Sequence, residues 1–467
     1  MSEAVLFRKC LGLNDTRAFA TQKMIVNPRD PDAGNVELLD CLNITTTPDG
    51  RIEKIPSFTT ALTHSAPITG LSSGERLIFQ DAVDTREWNG TTNTKLMSTI
   101  LGPVCHTAID VRVSNSDSKV YKSVNSAPTV QEALVGSITD LPPSSKVYSK
   151  MPPYAQAFVY NAKLYSVNAA DPRFLQYSED YRYDVYNVAD NFYPHVDDII
   201  NAGAIYSEKP GDSGCILCMH DEGVTLYDCS CPADFNTKFY ACHPYKETLY
   251  SGFISKAYGY GHVFLCADGI YFIDPSGNVT NLTLNTLQHI DMLNDSYTDA
   301  VVQDGKYLAF GNKVCIEYDF RTKTALKRST FGITGATTWN NVNYFATGST
   351  LLVPSGQIDT SAAFIASLTL PFSDLGAPGA KIFDAFYFTG VIGGDATITV
   401  SDNDSNTGDV VEHWDIDVSG LGQVSNYRIK TPRARTGNRV SVRVDCASGA
   451  FRLEELRTSF VSSVRTR

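Results

Sequence analysis

His262-Val263-Phe264-Leu265-Cys266, then Asp268-Gly269, then Ile270-Tyr271-Phe272-Ile273, closed by Asp274-Pro275-Ser276-Gly277, reads as strand, tight turn, strand, turn. The apolar runs are too short for helices. Asp-Gly between them supplies the left-handed conformations that a two-residue hairpin needs. The same theme recurs on both sides. Cys215-Ile216-Leu217-Cys218-Met219 meets Val224-Thr225-Leu226-Tyr227 across His220-Asp221-Glu222-Gly223. Tyr307-Leu308-Ala309-Phe310 meets Val314-Cys315-Ile316-Glu317-Tyr318, and Val342-Asn343-Tyr344-Phe345 meets Thr350-Leu351-Leu352-Val353. Earlier copies are Arg76-Leu77-Ile78-Phe79 with Arg86-Glu87-Trp88, and Ala157-Phe158-Val159-Tyr160 with Lys163-Leu164-Tyr165-Ser166-Val167; a weaker one surrounds Lys119-Val120-Tyr121.

Taking Phe158, Leu217, Phe264, Leu308 and Tyr344 as equivalent points gives separations of 59, 47, 44 and 36 residues. A propeller blade takes roughly 40–50 residues. A degenerate β-propeller of five to seven blades accounts for the pattern, each hairpin burying a face on the next blade. A ring must close, and the segment near Arg51 to Phe58 is the expected source of the closing strand.

The run Thr369-Leu370-Pro371-Phe372-Ser373-Asp374-Leu375-Gly376-Ala377-Pro378-Gly379 has the Pro and Gly density of a domain boundary. Six strand-like segments follow, among them Ala396-Thr397-Ile398-Thr399-Val400 and the strictly alternating Val440-Ser441-Val442-Arg443-Val444. They point to a β-sandwich or jelly-roll-like domain. The expected organisation is an extended N-terminal arm with propeller-closing strands over 1–60, a propeller over 61–368, and a C-terminal β-sandwich with basic strands over 381–467. The fold class is all-β throughout. In the arm, Pro48-Asp49-Gly50 between two short alternating runs predicts a hairpin.

The 467 residues carry a net charge of −12. From Ser425 to Arg467 there are ten Lys/Arg against three acids, so that stretch stands at +7 and the remainder at −19. An acidic body does not suit non-specific nucleic-acid binding. The basic end is either the wet face of strands or a contact surface, with Arg433, Arg435 and Arg439 as candidates. Met1 to Arg8 lacks the features of a signal peptide, and no apolar stretch approaches the roughly 20 residues of a membrane helix. The chain is therefore expected to fold in a cytosol, without membrane insertion, and its 11 Cys to stay mostly reduced.

Three features could carry chemistry. Cys215-x-x-Cys218-x-His220, with Cys229-x-Cys231 and Cys242-His243, has zinc-ligand residue types. Two Cys three apart in a strand point to opposite faces, though, so buried structural thiols are the preferred reading and no metal is assigned. Glu179-Asp180, Asp184 and Asp197-Asp198 lie among Tyr177, Tyr181, Tyr183, Tyr186, Phe192, Tyr193 and His195. This stretch could bind or cleave a sugar. It could equally be a subunit contact, which makes Tyr181, Tyr183, Tyr186, Phe192 and Tyr193 interface candidates. No His-Glu-x-x-His or phosphate-loop pattern occurs. No catalytic residue and no cofactor are assigned.

The opening adds a resemblance. Asn14-Asp15-Thr16, Leu38-Leu39-Asp40-Cys41-Leu42-Asn43-Ile44 and Asp49-Gly50-Arg51-Ile52-Glu53-Lys54-Ile55-Pro56-Ser57-Phe58 resemble the start of many bacteriophage tail proteins. In those, an asparagine in a strand, an Asp/Gly turn, basic residues and Pro-Gly-Phe precede a degenerate propeller. Here Ser57 replaces that Gly. The whole layout is similar to the tail hub or nozzle of short-tailed phages, the packaged-DNA stabilisation type. The resemblance implies a non-enzymatic virion tail component, assembled in the bacterial cytoplasm. It implies a homo-hexameric ring below the portal and head-to-tail adaptor, bound to a tail needle or fibre/spike proteins. Genomic DNA would pass through without sequence-specific binding. A propeller carbohydrate-binding protein or glycoside hydrolase, and a zinc-stabilised interaction module, are the alternatives.

Overall fold

The computed structural model describes the chain apart from residues 1, 17–22, 75, 99–103, 107–110, 115–119, 125–126, 135–145, 184, 190, 193, 208–213, 229–236, 362–363, 404–409, 433–435, 438 and 464–467. Its described residues are strands and turns, with two single-turn 3-10 helices at Lys246–Thr248 and Ile290–Met292. No helix among them is long and apolar enough to cross a membrane.

Seven four-stranded antiparallel sheets follow in chain order. The first blade runs from Gly70–Ser73 to Asn93–Ser98 and the second from Val104–His106 to Ala127–Leu134. The third runs from Tyr154–Tyr160 to Asn191–Phe192, the fourth from Asn201–Ile205 to Thr237–Ala241, and the fifth from Tyr250–Ser255 to Val279–Asn281. The sixth spans Tyr297–Gln303 to Thr324–Ser329. The seventh takes Gly335–Trp339, Val342–Thr347 and Thr350–Ile358, and borrows its fourth strand, Pro56–Thr63, from the N-terminal region. The first strands of the blades touch in cyclic order, the seventh returning to the first. The ring is therefore a closed seven-bladed propeller, and the strand that closes it begins two residues after Lys54.

The hairpins read from sequence are the middle strands of these blades. Cys266↔Gly269 and Phe264↔Tyr271 pair across an Ala267-Asp268 turn, one residue earlier than the expected Asp268-Gly269, because Gly269 with φ 146° already opens the second strand. Asp304 and Gly305 both have positive φ (50° and 73°), the geometry that an Asp-Gly hairpin turn requires. Phe158 lies one strand too early. It sits on the first strand of its blade, whereas Leu217, Phe264, Leu308 and Tyr344 sit on second strands. Tyr165 is the true equivalent, and its separation from Leu217 is 52 residues. Blade packing follows the alternation. Ile216 and Cys218 face the third blade with Tyr160 and Tyr165, while Leu217 and Met219 face the fifth with Phe264 and Ile273.

The C-terminal region is a two-sheet sandwich. One sheet orders Gly422–Lys430, Ala380–Ile392, Phe451–Ser463, Ile52–Lys54 and Ile44–Thr46, with Ser2–Phe7 also on Phe451–Ser463. The other orders Asp40–Leu42, Ala366–Thr369, Val440–Cys446, Ala396–Asn403 and Val410–Asp417. Val440, Val442 and Val444 are buried against Phe383, Phe388, Phe451 and Phe460. The N-terminal residues expected as an extended arm are instead strands of this sandwich, because Val5, Leu6, Phe7, Ile44 and Ile52 have apolar surface that only its core can cover. The Pro48-Asp49-Gly50 hairpin forms, with Ile44↔Lys54 and Thr46↔Ile52 in register. The crossing from propeller to sandwich falls between Ile358 and Ala366, before the Pro/Gly-rich run. That run is a turn inside the sandwich, held by the buried side chains of Leu370, Phe372 and Leu375.

Candidate functional site: the joint between propeller and sandwich

The segment Asp40 to Phe58 ties the two parts of the molecule together. Asn43 stands between two short strands with φ 54°, a conformation that Asn tolerates better than most residues. Its backbone N–H donates to Lys327 O (3.1 Å), and its C=O accepts from Ile55 N–H (3.1 Å). Its side chain accepts from Ser329 N–H (2.7 Å) and donates to Ile365 O (3.0 Å). One residue thus holds the last strand of the sixth blade, the connector into the sandwich and its own hairpin. Lys54, fully buried, donates from Nζ to Ser361 O (2.9 Å) on the same connector. Four residues on, Phe58 meets Phe331 and Phe345 edge-to-face, with centroids 4.9 and 5.4 Å apart.

Beside Asn43 lies a buried ionic cluster that the sequence reading did not single out. Thr45 Oγ1 donates to Glu317 Oε1 (2.6 Å) and Thr46 Oγ1 to Asp319 Oδ2 (3.2 Å). Lys306 Nζ lies 3.2 Å from Glu317 and 3.5 Å from Asp319, and donates to Thr46 O (2.9 Å). Arg328 pairs with Glu317, and Arg321 with Asp319 (3.2 Å). Neither carboxylate is exposed. Burial, with the neighbouring Arg328 cation, pushes the Lys306 ammonium down to about 8. Charges this far from water persist only when each meets opposite charge and hydrogen-bond donors. The two threonines complete that shell from the N-terminal hairpin.

The residues nominated from sequence do not assemble into one patch. Tyr181 is exposed, with φ 56°. Tyr183 is buried with Met151, Tyr154 and Leu164, and Tyr186 packs against that cluster. Tyr183 is therefore a core side chain, corrected from an interface candidate. Phe192 pairs through its backbone with Leu175. Asp184, Tyr193, Arg433 and Arg435, and the side chain of Phe192, lie outside the described residues. Three of the remaining acids of the aromatic stretch have side-chain partners. Glu179 pairs with Lys146 (2.9 Å), Asp180 with Lys163 (2.8 Å) and Asp197 with His195 (3.1 Å). The Asp198 carbonyl meets His220 Nδ1 (3.1 Å).

Arg439 donates to Phe372 O (2.9 Å) inside the sandwich. The basic strands have acids alongside: Arg428 with Asp384 (2.9 Å), Arg443 with Asp445 (2.8 Å), Arg452 with Glu53 (3.0 Å) and Arg457 with Glu455 (3.4 Å). Of these acids Asp384 and Glu53 come from neighbouring strands outside the positive stretch, whereas Asp445 and Glu455 belong to it, so the pairing offsets only part of its charge.

Cys215 and Cys218 are buried on one strand, Cys215 toward the fifth blade and Cys218 toward the third. They cannot converge on one ion. His220 engages Thr225 through Nε2 (3.1 Å) as well as Asp198 through Nδ1. Cys229 and Cys231 lie outside the described residues. Among the described residues no group of three or more His, Cys, Asp or Glu is placed to hold a metal.

No family model and no curated protein matches the sequence. Solved structures do. A streptogramin B lyase is 11% identical with a TM-score of 0.43, over 64% of this chain and 96% of that one. The Neurospora crassa Pan2 WD40 domain is 8% identical with a TM-score of 0.41, over 64% and 96%. YCF48, solved bound to a D1 peptide, is 10% identical with a TM-score of 0.40, over 66% and 97%. At such identities the likeness concerns the fold alone.

Proposed function

We propose that this chain is a structural, non-enzymatic subunit of a short-tailed phage tail, a nozzle or hub that assembles as a ring, expected to be hexameric, below the portal and adaptor. The observation that carries this reading is the joint. Two of the segments that resemble phage tail proteins, Leu38 to Ile44 and Asp49 to Phe58, carry Asn43, Lys54 and Phe58, the residues that tie propeller to sandwich. A subunit that must keep its shape while a genome passes under pressure benefits from a single packed body. The largest core cluster is continuous from the sandwich into the fifth and sixth blades, through Ile270, Phe272, Ile316 and Tyr318. An acidic surface suits a conduit, because each neutralised phosphate would add salt-dependent affinity and slow the DNA. The pairing of Glu179 and Asp180 with lysines favours this reading over a glycosidase in the acidic-aromatic stretch.

Light scattering on a column with negative-stain imaging tests it, on the chain alone and mixed with portal–adaptor complex. Rings of about six copies in either sample are the expected result. A chain that stays monomeric and leaves portal–adaptor complex bare overturns the proposal. Arg433, Arg435 and Arg439 changed together to Glu examine a contact with an acidic neighbour. Intact particle assembly would remove that role from the basic stretch.

A further inference from the structure

One cavity of about 630 Å³ opens where the hairpin tips of three consecutive blades meet. Its walls come from Tyr250 and Phe253 on the first strand of the fifth blade, and from Gln303 and Asp304 at the first turn of the sixth. Asn341 at the first turn of the seventh and Arg321 at the outer turn of the sixth complete them. That size lies within the range of small-ligand sites.

The chemistry of the walls is selective. Phe253 is 45% exposed and also meets Tyr260 edge-to-face, with centroids 5.6 Å apart, so an aromatic side chain is part-open to solvent at the wall of a concave site. The side chains of Gln303, Asp304 and Asn341 have no hydrogen-bond partner among the described residues. Two carboxamides, each both donor and acceptor, and one carboxylate, a pure acceptor, therefore line the same cavity as the exposed aromatic residue. Arg321 is the one cation named here, and Asp319 already holds it through Nε (3.4 Å) and Nη2 (3.2 Å). The half-exposed Arg321 guanidinium and the Asp304 carboxylate give the walls one charge of each sign, so they hold no net positive field to draw in phosphates, acidic glycans or nucleic acid.

A ligand that matches must be uncharged and must both donate and accept at closely spaced points. It must also carry a flat C–H face for the ring. A neutral sugar has this description: vicinal hydroxyls can donate to Asp304 and exchange bonds with Gln303 and Asn341, while the axial hydrogens lie on Phe253. We propose that this cavity binds a neutral oligosaccharide of two or three rings. The site is separate from the acidic-aromatic stretch of the third blade, and its occupancy does not depend on the oligomeric state proposed above.

The test is titration calorimetry and saturation-transfer NMR of the full-length chain with maltotriose, chitotriose and xylotriose. Binding of at least one in the range of about 1 mM or tighter is expected. Phe253→Ala and Asp304→Ala should each weaken it by about tenfold or more, while Tyr181→Ala, at an exposed aromatic of the third blade, should leave it unchanged. These are surface positions, and a circular-dichroism melt checks that each variant folds. No saturation transfer from any of the three sugars at about 10 mM overturns the proposal. So does binding that survives both Phe253→Ala and Asp304→Ala.

Discussion

The side-chain amide of Asn43 donates to the carbonyl of Ile365, 322 residues later in the chain, at 3.0 Å. The same side chain accepts from the Ser329 N–H at 2.7 Å. Asn43→Ala would leave a backbone donor and a backbone acceptor without partners in a part-buried joint. Each such loss costs about 1–3 kcal/mol. A destabilisation of about 2–4 kcal/mol is expected by urea unfolding. Asn43→Gly, which accepts φ 54° without strain, should be no worse than Ala. A value under about 0.5 kcal/mol for both would mean that the joint is held by its apolar contacts alone.

The ionic cluster should respond asymmetrically. Thr45→Val removes a donor from Glu317 and is expected to cost about 1–3 kcal/mol. Glu317→Ala strands Lys306 and Arg328 without their shared partner, which should cost about 3–5 kcal/mol. Because the residues touch, the double variant should fall short of the sum. Strict additivity in denaturant midpoints would show that Thr45 and Glu317 act independently.

How much of this was legible beforehand follows from where each residue lies. The middle strands of the blades show themselves, since both faces of the Leu217 strand are packed and short Asp- or Gly-containing turns follow the Leu217 and Phe264 strands. The first strands are harder to see. Asn201–Ile205 is Asn-Ala-Gly-Ala-Ile and Gly335–Trp339 is Gly-Ala-Thr-Thr-Trp. Near the axis neighbouring strands come so close that a Cβ on Gly203 would lie 2.3 Å from Ser251 Oγ, so small residues prevail and periodicity fades. The first strand of the third blade is the exception, since Phe158, Val159 and Tyr160 give it the bulk of a middle strand, and this puts Phe158 one strand too early. The joint was invisible for a different reason. Glu317 lies between Ile316 and Tyr318 and reads as the wet face of an alternating strand. It is buried because a hairpin 272 residues earlier covers it.

Two buried bases give the stability a defined pH dependence. His262 is enclosed with Ser251 Oγ at 2.8 Å, and burial pushes its pKa from 6.5 down to about 3. Between those values the unfolded chain binds a proton that the folded chain does not. This contribution is therefore full above pH 6.5 and is lost as pH falls toward 3. Lys306, lowered from 10.5 to about 8, has the same sign in a higher window, so stability should rise from pH 8 to 10.5. Asp299, pushed up from 3.8 to about 7 by burial, has the opposite sign and offsets His262 in the acid window, so unfolding midpoints across pH should show both slopes in an Asp299→Asn background. His262→Asn should flatten the acid limb and Lys306→Met the alkaline one, each leaving the other limb in place. An acid limb unchanged in His262→Asn would assign it to carboxylates instead.

Metal removal should do nothing to the described core. Cys215 and Cys218 face different blades, and His220 is engaged by Thr225 and Asp198. Incubation with EDTA is expected to leave the thermal midpoint unchanged, and elemental analysis to find no stoichiometric zinc. A fall in the midpoint on chelation would assign ligands to the segment carrying Cys229 and Cys231, since Cys215 and Cys218 cannot share an ion.

Closure of the ring depends on one borrowed strand, and this can be tested locally. Pro56–Thr63 pairs along Thr350–Ile358, with a register shift between Leu351 and Leu352, and Phe58 anchors it edge-to-face on Phe331 and Phe345. Removing the half-buried ring in Phe58→Ala forfeits apolar contact and two aromatic pairs, about 2–3 kcal/mol. The loss should appear first where the chain closes. Backbone amides of Thr350–Ile358 and Pro56–Thr63 are expected to exchange with deuterium roughly 10–100-fold faster in the variant, since each 1.4 kcal/mol of local opening is about tenfold. Amides of Cys215–His220, in the middle of the fourth blade and packed on both faces, should keep their wild-type rates. Equal acceleration in both places would mean that the seven blades open as one cooperative unit. In that case the borrowed strand sets the stability of the whole ring rather than of its seam.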